Sequence, residues 1–190
     1  MVGNIGNPIL LEKNITNSTV FVIEASSYQL EYSKIFKAKL AVILNISPDH
    51  LERHKTLKNY IDAKFRIIKN QSKKDCAILN TNNIYIKQKL KTEKYLSKII
   101  RINKLINPTY LKRLDNSYFL TEGNKENLSF VLKIIKIFKI KKNNILQVLN
   151  NFYGLKYRQQ IIYKSKKLTI INDSKATSFS SSIRILKSIP

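Results

Sequence analysis

The chain has 190 residues, 43% of them hydrophobic, with 35 Lys and Arg against 12 Asp and Glu and a formal net charge of +23. That hydrophobic share excludes wholesale disorder and is enough for one domain with a core, or one domain and a piece of another. A single cysteine, Cys76, excludes an internal disulfide, and neither a charged-then-apolar leader nor an apolar run of about 18–20 residues is present, so a cytoplasmic, monomeric chain with no membrane partner is expected.

The charge is unevenly spread. Residues 1–66 carry 9 Lys and Arg and 6 Asp and Glu, while residues 67–190 carry 26 and 6. In the basic part the lysines alternate with Ile, Leu and Asn, as in KIIKIFKIKKNN, the pattern of solvated faces on amphipathic elements. No specific nucleic-acid partner is expected on that pattern. A basic nucleic-acid-binding domain is the alternative of a different class, and it requires one contiguous basic face with exposed aromatics.

In chain order, Gly3-Asn4-Ile5-Gly6-Asn7-Pro8 reads as a turn entering a helix, with Asn7 as its cap and Pro8 in its first position. Such an opening, with no strand before it, is expected of a chain with sequence missing upstream. Residues 19–25 (TVFVIEA) and 40–46 (LAVILNI) read as buried strands, with a short helix at 29–36 between them. Residues 59–70 have helical spacing, 76–80 (CAILN) is a strand, and 97–103 and 117–121 are weaker strands. Helices are expected at 126–140 and 143–152, a strand at 167–172, and an amphipathic helix at 180–189. Strands separated by helices define an α/β protein with a mostly parallel sheet flanked by helices. From Gly154 onward only 37 residues remain, too few for an ordinary domain, so 154–190 is expected to be the beginning of a second α/β domain after a domain at 1–153.

Four segments can carry chemistry. Glu24 closes the first strand and is followed by Ser26 and Ser27; a carboxylate there can hold Mg²⁺, although on spacing alone a solvated Glu beside a serine turn is the commoner arrangement. Asp49 and His50 follow the second strand in the same way, either as a polar site or as a helix cap with an exposed imidazole. Two histidines and one cysteine are too few for a His-rich zinc site. Lys64, inside the next helix, is by itself an ordinary solvated lysine. Finally, Asp173-Ser174-Lys175-Ala176-Thr177 follows the 167–172 strand and can seat a phosphate at a helix start, or simply cap that helix. No G-x-x-x-x-G-K-[ST] phosphate loop occurs, and the four glycines, at 3, 6, 123 and 154, cannot build one.

Six segments in order resemble the Mur ligase family: residues 3–8 (GNIGNP), 24–31 (EASSYQLE), 44–54 (LNISPDHLERH), Tyr60-x-x-Ala63-Lys64-x-Arg66-Ile67, 154–158 (GLKYR) and 171–177 (INDSKAT). The resemblance implies a three-domain, ATP-dependent ligase, with 1–153 as its central ATPase domain and 154–190 as the start of its C-terminal domain. It implies an activity joining D-glutamate to UDP-N-acetylmuramoyl-L-alanine through an acyl phosphate in peptidoglycan synthesis. Ser-Ser-Tyr-Gln-Leu-Glu favours that substrate pair, and a family member adding another amino acid is the alternative. By the resemblance, ATP and Mg²⁺ are the cofactors, Glu24, His50 and Lys64 serve the metal, and Lys64 is carbamylated, with His50 and Lys64 catalytic. Asn4, Ser26 and Gln29 would face the UDP-linked substrate, as would Thr177, while Asn127, Arg158, Asp173 and Lys175 would contact ATP. Glu24, His50 and Lys64 are expected to converge on one polar cleft. The chain departs from the family pattern where Thr121 and Gly123 stand in place of Gly and His. With no phosphate loop, it is not expected to hydrolyse ATP or ligate D-glutamate by itself.

Overall fold

A computed structural model describes residues 1–103, 114, 116–176 and 183. The chain packs as two units, Met1–Asn103 and Lys104–Pro190. Among the described residues no helix is long and apolar enough to cross a membrane.

The first unit is α/β. Its elements are β1 (Val2–Gly3), a 3-10 turn (Ile9–Leu11), β2 (Ile23–Glu24), α1 (Ser27–Tyr32), β3 (Leu40–Ile43), α2 (Leu51–His54), α3 (Leu57–Lys69), β4 (Cys76–Asn80), α4 (Ile84–Thr92) and β5 (Lys98–Ile102). All its strand pairs are parallel. β1 pairs with β2, Val2 opposite Ile23 and Gly3 opposite Glu24. A separate sheet has the order β3-β4-β5, with Leu40 opposite Cys76 and Cys76 opposite Lys98. β4 lies in its middle and is an unbroken apolar run because both its faces are covered; Ala77, Ile78 and Leu79 are fully buried. α3 starts on Thr56, whose hydroxyl accepts the Asn59 N–H, and buries Tyr60, Ala63, Phe65 and Ile68. Tyr60, Phe65 and Ile68 join Ala41, Ile43, Ala77 and Leu79 in one core.

The turn before β4 is locked by polar groups. Gln71 Nε2 donates to the carbonyls of Ala38 and Cys76 at 2.8 and 2.9 Å, tying the starts of β3 and β4 together. Asp75 Oδ2 accepts the Ser72 N–H and the Ser72 hydroxyl, both at 2.7 Å, and pairs with Lys37 at 3.0 Å. These donors, the Ser72 N–H foremost, hold the Asp75 carboxyl down at about 2.

The second unit contains a 3-10 turn (Ser117–Leu120), α5 (Glu122–Ile137), α6 (Lys142–Asn150) and an antiparallel hairpin of β6 (Gln160–Lys164) and β7 (Thr169–Asn172). Phe119, Leu128, Ile145 and Leu149 form its core. The Asn116 amide donates to the carbonyls of Leu149 and Phe152 at 2.7 Å each, which fixes the end of α6 against the start of this unit. Gly154 has φ +77°, and a Cβ there would lie 2.5 Å from Tyr118 Cε2. Glycine is required on both counts, conformation and space.

The expected α/β architecture with parallel sheets is present, with local corrections. The strand expected at 19–25 is confined to Ile23–Glu24, because β1 offers it only two partners. The helix expected after Pro8 is a single 3-10 turn; Pro8 occupies the cap position and Asn7 does not cap it. Residues Ser117–Leu120 form a 3-10 turn instead of a strand, because the Asn116 side chain accepts the Tyr118 N–H and curls the backbone. The chain does have a strand ahead of its opening turn, β1. The amphipathic helix expected at 180–189 lies outside the described residues except for Ile183, which is helical, and the helix expected to follow Asp173 lies outside them beyond residue 176.

The folded-state pKa of Asp75 is depressed, so its contribution is complete above the unfolded value, near 3.8, and is lost as pH falls toward about 2. Asp75→Asn should therefore lower the melting temperature at pH 7, and its deficit against wild type should shrink across that interval. Gly154→Ala should destabilise the second unit by about 1–3 kcal/mol, read as an earlier chemical-denaturation midpoint in fluorescence from Tyr118 and its neighbours.

Candidate functional site

In the first unit the polar residues gather where strands end. Glu24 ends β2 and is exposed. Its carboxylate accepts from Asn4 Nδ2 at 3.2 Å, and its carbonyl accepts the Asn4 N–H at 2.8 Å, so Asn4 and Glu24 form one corner. Ser26 and Gln29 build a capping box at the start of α1: Ser26 Oγ accepts the Gln29 N–H at 3.2 Å, and Gln29 Oε1 accepts the Ser26 N–H at 2.9 Å. Both side chains are thus engaged with each other.

His50 occupies the cap position of α2 in the left-handed conformation, φ 54°. Its N–H donates to Asp49 Oδ1 at 2.9 Å, while its ring makes no capping bond. A non-glycine residue held there is strained, and such strain concentrates at functional sites. Tyr28 and Tyr60 flank the His50 ring, with centroids 5.1 and 6.4 Å away. The Lys64 ammonium lies 5.0 Å over the Tyr60 ring. Burial lowers the Lys64 pKa, against an opposing pull from Asp49. Tyr60 is pushed up to about 12, mainly by burial, with Asp49 and Tyr28 adding to it. Lys64 is therefore a half-buried amine within an aromatic cluster, unlike a solvated helix lysine.

The structure brings His50 and Lys64 together through Tyr60. Glu24 makes its hydrogen bonds with Asn4, and among the described residues none joins it to His50 or Lys64. Nor does any group of three or more His, Cys, Asp and Glu stand ready to hold a metal among them. Mg²⁺ keeps several waters and takes one or two protein oxygens beside substrate phosphates, so such a group is not a requirement for it. A half-buried lysine with a lowered pKa is suited to lose its proton and accept carbon dioxide, and the resulting carbamate presents two oxygens.

The second unit holds a polar groove of about 230 Å³. Asn127, Arg158, Asp173 and Lys175 all line it, so three separate stretches of the sequence meet there. Tyr118, Asn124 and Gln159 complete its walls. Arg158 is set by an unusual turn, with Gly154, Tyr157 and Gln159 at φ 77°, 66° and 48°. That turn is tied to the end of β7: the Gln159 N–H donates to Asp173 Oδ1 at 3.0 Å and the Lys175 N–H to the Tyr157 carbonyl at 3.1 Å. Buried Asn124 donates to the Tyr118 carbonyl at 2.7 Å and so fixes the opposite wall. Two cations, amides, a carboxylate and an aromatic ring in one groove suit a phosphorylated ligand with a planar base. Thr177 lies outside the described residues. Tyr118 and Gln159 escape sequence reasoning; the closest signals are the Gly154 motif, which ends one residue before Gln159, and the Asn116 turn residue before Tyr118.

Comparison with known proteins agrees with this architecture. Residues 2–154 match the Mur ligase middle domain family. A UDP-N-acetylmuramoylalanine–D-glutamate ligase from Alkaliphilus metalliredigens is 35% identical over 98% of this chain and 45% of its own length. Proteins of the same name from Rickettsia bellii and Clostridioides difficile are 31% and 33% identical over 100% and 99% of this chain. The chain spans just under half the length of these relatives. In fold it is similar to the MurF ligase of Thermotoga maritima, solved in complex with ADP, with a TM-score of 0.64 and 15% identity over 88% of this chain and 44% of that one. A matched family spanning most of the chain, on a parallel α/β fold shared with solved Mur ligases, establishes that the chain belongs to the Mur ligase family.

Proposed function

We propose that the chain is part of an ATP-dependent ligase that adds D-glutamate to UDP-N-acetylmuramoyl-L-alanine. The observation that carries this reading is the convergence of Asn127, Arg158, Asp173 and Lys175 on one groove of the second unit. The names of the relatives support the substrate pair, and the ADP bound to the Thermotoga maritima MurF ligase supports the nucleotide. Residues 1–153 would then be most of the central domain and 154–190 the beginning of the next, in a protein acting in the cytoplasm as a monomer.

The reaction proposed is carboxylate activation. An oxygen of the alanyl carboxylate attacks the γ-phosphorus of ATP, releasing ADP; the D-glutamate amine then attacks the acyl phosphate, forming the amide and releasing phosphate. Arg158 and Lys175 would hold phosphate oxygens, and Asp173, oriented by the Gln159 N–H, would accept hydrogen bonds from the ribose. The Tyr118 ring and the amides of Asn124 and Asn127 would border the base. In the first unit, Asn4, Ser26 and Gln29 would face the UDP-linked substrate; the last two could do so only through atoms their capping box leaves free. Thr177, by the resemblance, would contact the substrate. Glu24, His50 and carbamylated Lys64 would hold Mg²⁺, which supplies charge neutralisation for the transferring phosphoryl group.

Two measurements test this reading in the full-length protein. Lys64→Ala should lower the ligation rate on the order of 10²-fold, with partial recovery on adding a short carboxylic acid, while Lys69→Ala should stay near wild type. Arg158→Ala should raise the KM for ATP roughly 10- to 100-fold, the loss of a charge-assisted hydrogen bond. Unchanged D-glutamate-dependent ADP release in both Lys64→Ala and Arg158→Ala would overturn the assignment.

A further inference from the structure

The proposed chemistry makes no use of His54, the last residue of α2, although its side chain is only 1% exposed. Its Nε2 lies 3.0 Å from the Ser27 hydroxyl, at the first turn of α1. Its Nδ1 has no hydrogen-bond partner and stands 4.0 Å from Glu31 Oε2. A bare Nδ1 lone pair facing a carboxylate would be repelled. Electrostatics therefore assigns the proton to Nδ1, leaving Nε2 to accept from Ser27. The Glu31 carboxylate is itself held by Arg53, 3.1 Å away.

Serine, histidine and glutamate in that order invite comparison with a nucleophile, its base and the group that orients it. Two observations exclude that role. Ser27 is 3% exposed, so no substrate carbonyl can reach its oxygen. The 4.0 Å gap between Nδ1 and Glu31 is too long for the orienting hydrogen bond.

What the imidazole does touch is aromatic. Tyr28 stacks on it, centroids 5.5 Å apart and planes at 24°, and Tyr60 leans on it at 5.4 Å and 55°. The same two tyrosines flank His50, and Tyr60 carries the Lys64 ammonium. α2 has only four residues, too short to hold its shape alone. Its attachment to α1 comes from Arg53, on Glu31 and Tyr32, and from His54, on Ser27.

We propose that His54 is a positioning residue: fixed by Ser27, its ring is a wedge between Tyr28 and Tyr60 that sets where the His50 imidazole and the Lys64 amine lie. The ring supplies the wedge and the hydrogen bond fixes its rotation, so histidine satisfies both demands where phenylalanine or glutamine satisfies one. The purpose of the site rests on the function proposed above, but the placement does not.

The test separates the two. In the 190-residue chain, the Lys64 ε-methylene protons, lying near the Tyr60 ring face, should resonate upfield of ordinary lysine. His54→Phe should keep that shift, and His54→Gln should return it toward the ordinary value, with the His50 ring protons moving as well. If His54→Gln does not fold, the milder Ser27→Ala should still move the His50 resonances. In the full-length protein, His54→Gln should raise the magnesium concentration for half-maximal ligation about tenfold or more, as loss of a group that orients metal ligands does. Lys64 and His50 resonances unchanged in a folded His54→Gln chain, or unchanged His50 resonances in Ser27→Ala, would overturn the proposal. Shifted resonances with unaltered ligation would uphold the placement and count against the proposed site.

Discussion

The parallel pairing of β3, β4 and β5, with β4 buried on both faces, is the constraint on which the first unit depends. Parallel neighbours cannot be joined by tight hairpins, so each connection must cross over through a helix. Every strand therefore ends in a turn that re-aims the chain, and the polar residues fall there: Asp49 and His50 after β3, with Lys64 on the helix that leads back to β4. The position of the lysine is a consequence of sheet connectivity before it is a matter of chemistry. Its environment then follows from packing, because the face of α3 that buries Tyr60 for the core places that ring beneath Lys64.

The parts of the fold legible in the sequence are those where one physical signal dominates. β4 is readable to the residue, since a strand buried on both faces is an uninterrupted apolar run between polar turns. α3 is readable within about two residues because capping and periodicity agree. α4 was missed: only Ile86 in it is fully buried, and lysines at 87, 89 and 91 blur its period. Across space it packs Ile86 into the core and is tied to α3 through Lys89 and Asp62. β6 was missed for the same kind of reason, since a hairpin strand with an irregular register shows no clean alternation. Of the groove residues, Asp173 and Lys175 were legible as a phosphate seat after a strand, whereas Asn127 and Arg158 were legible only through the resemblance to the family. Tyr118 and Gln159 were not, because what places them is a run of positive φ angles and a glycine pressed against a ring. Glu24 shows the opposite limit: its place at a strand end was read correctly, yet its partner is Asn4.

The same cross-space bonds bear on the positive charge. Lys37 neutralises a buried turn, Lys89 joins two helices, and Lys64 rests on a tyrosine. These three of the chain's 35 Lys and Arg serve the fold through particular partners.

The contact between Gly154 and Tyr118 binds two parts of the groove together. A side chain at 154 and a ring at 118 compete for the same volume, since even a methyl would stand 2.5 Å from the ring. Removing the ring would relieve the crowding at 154 but not the backbone conformation, since φ +77° still favours glycine. The groove wall and the turn that aims Arg158 are therefore packed as one piece, and a change at either position is felt at the other.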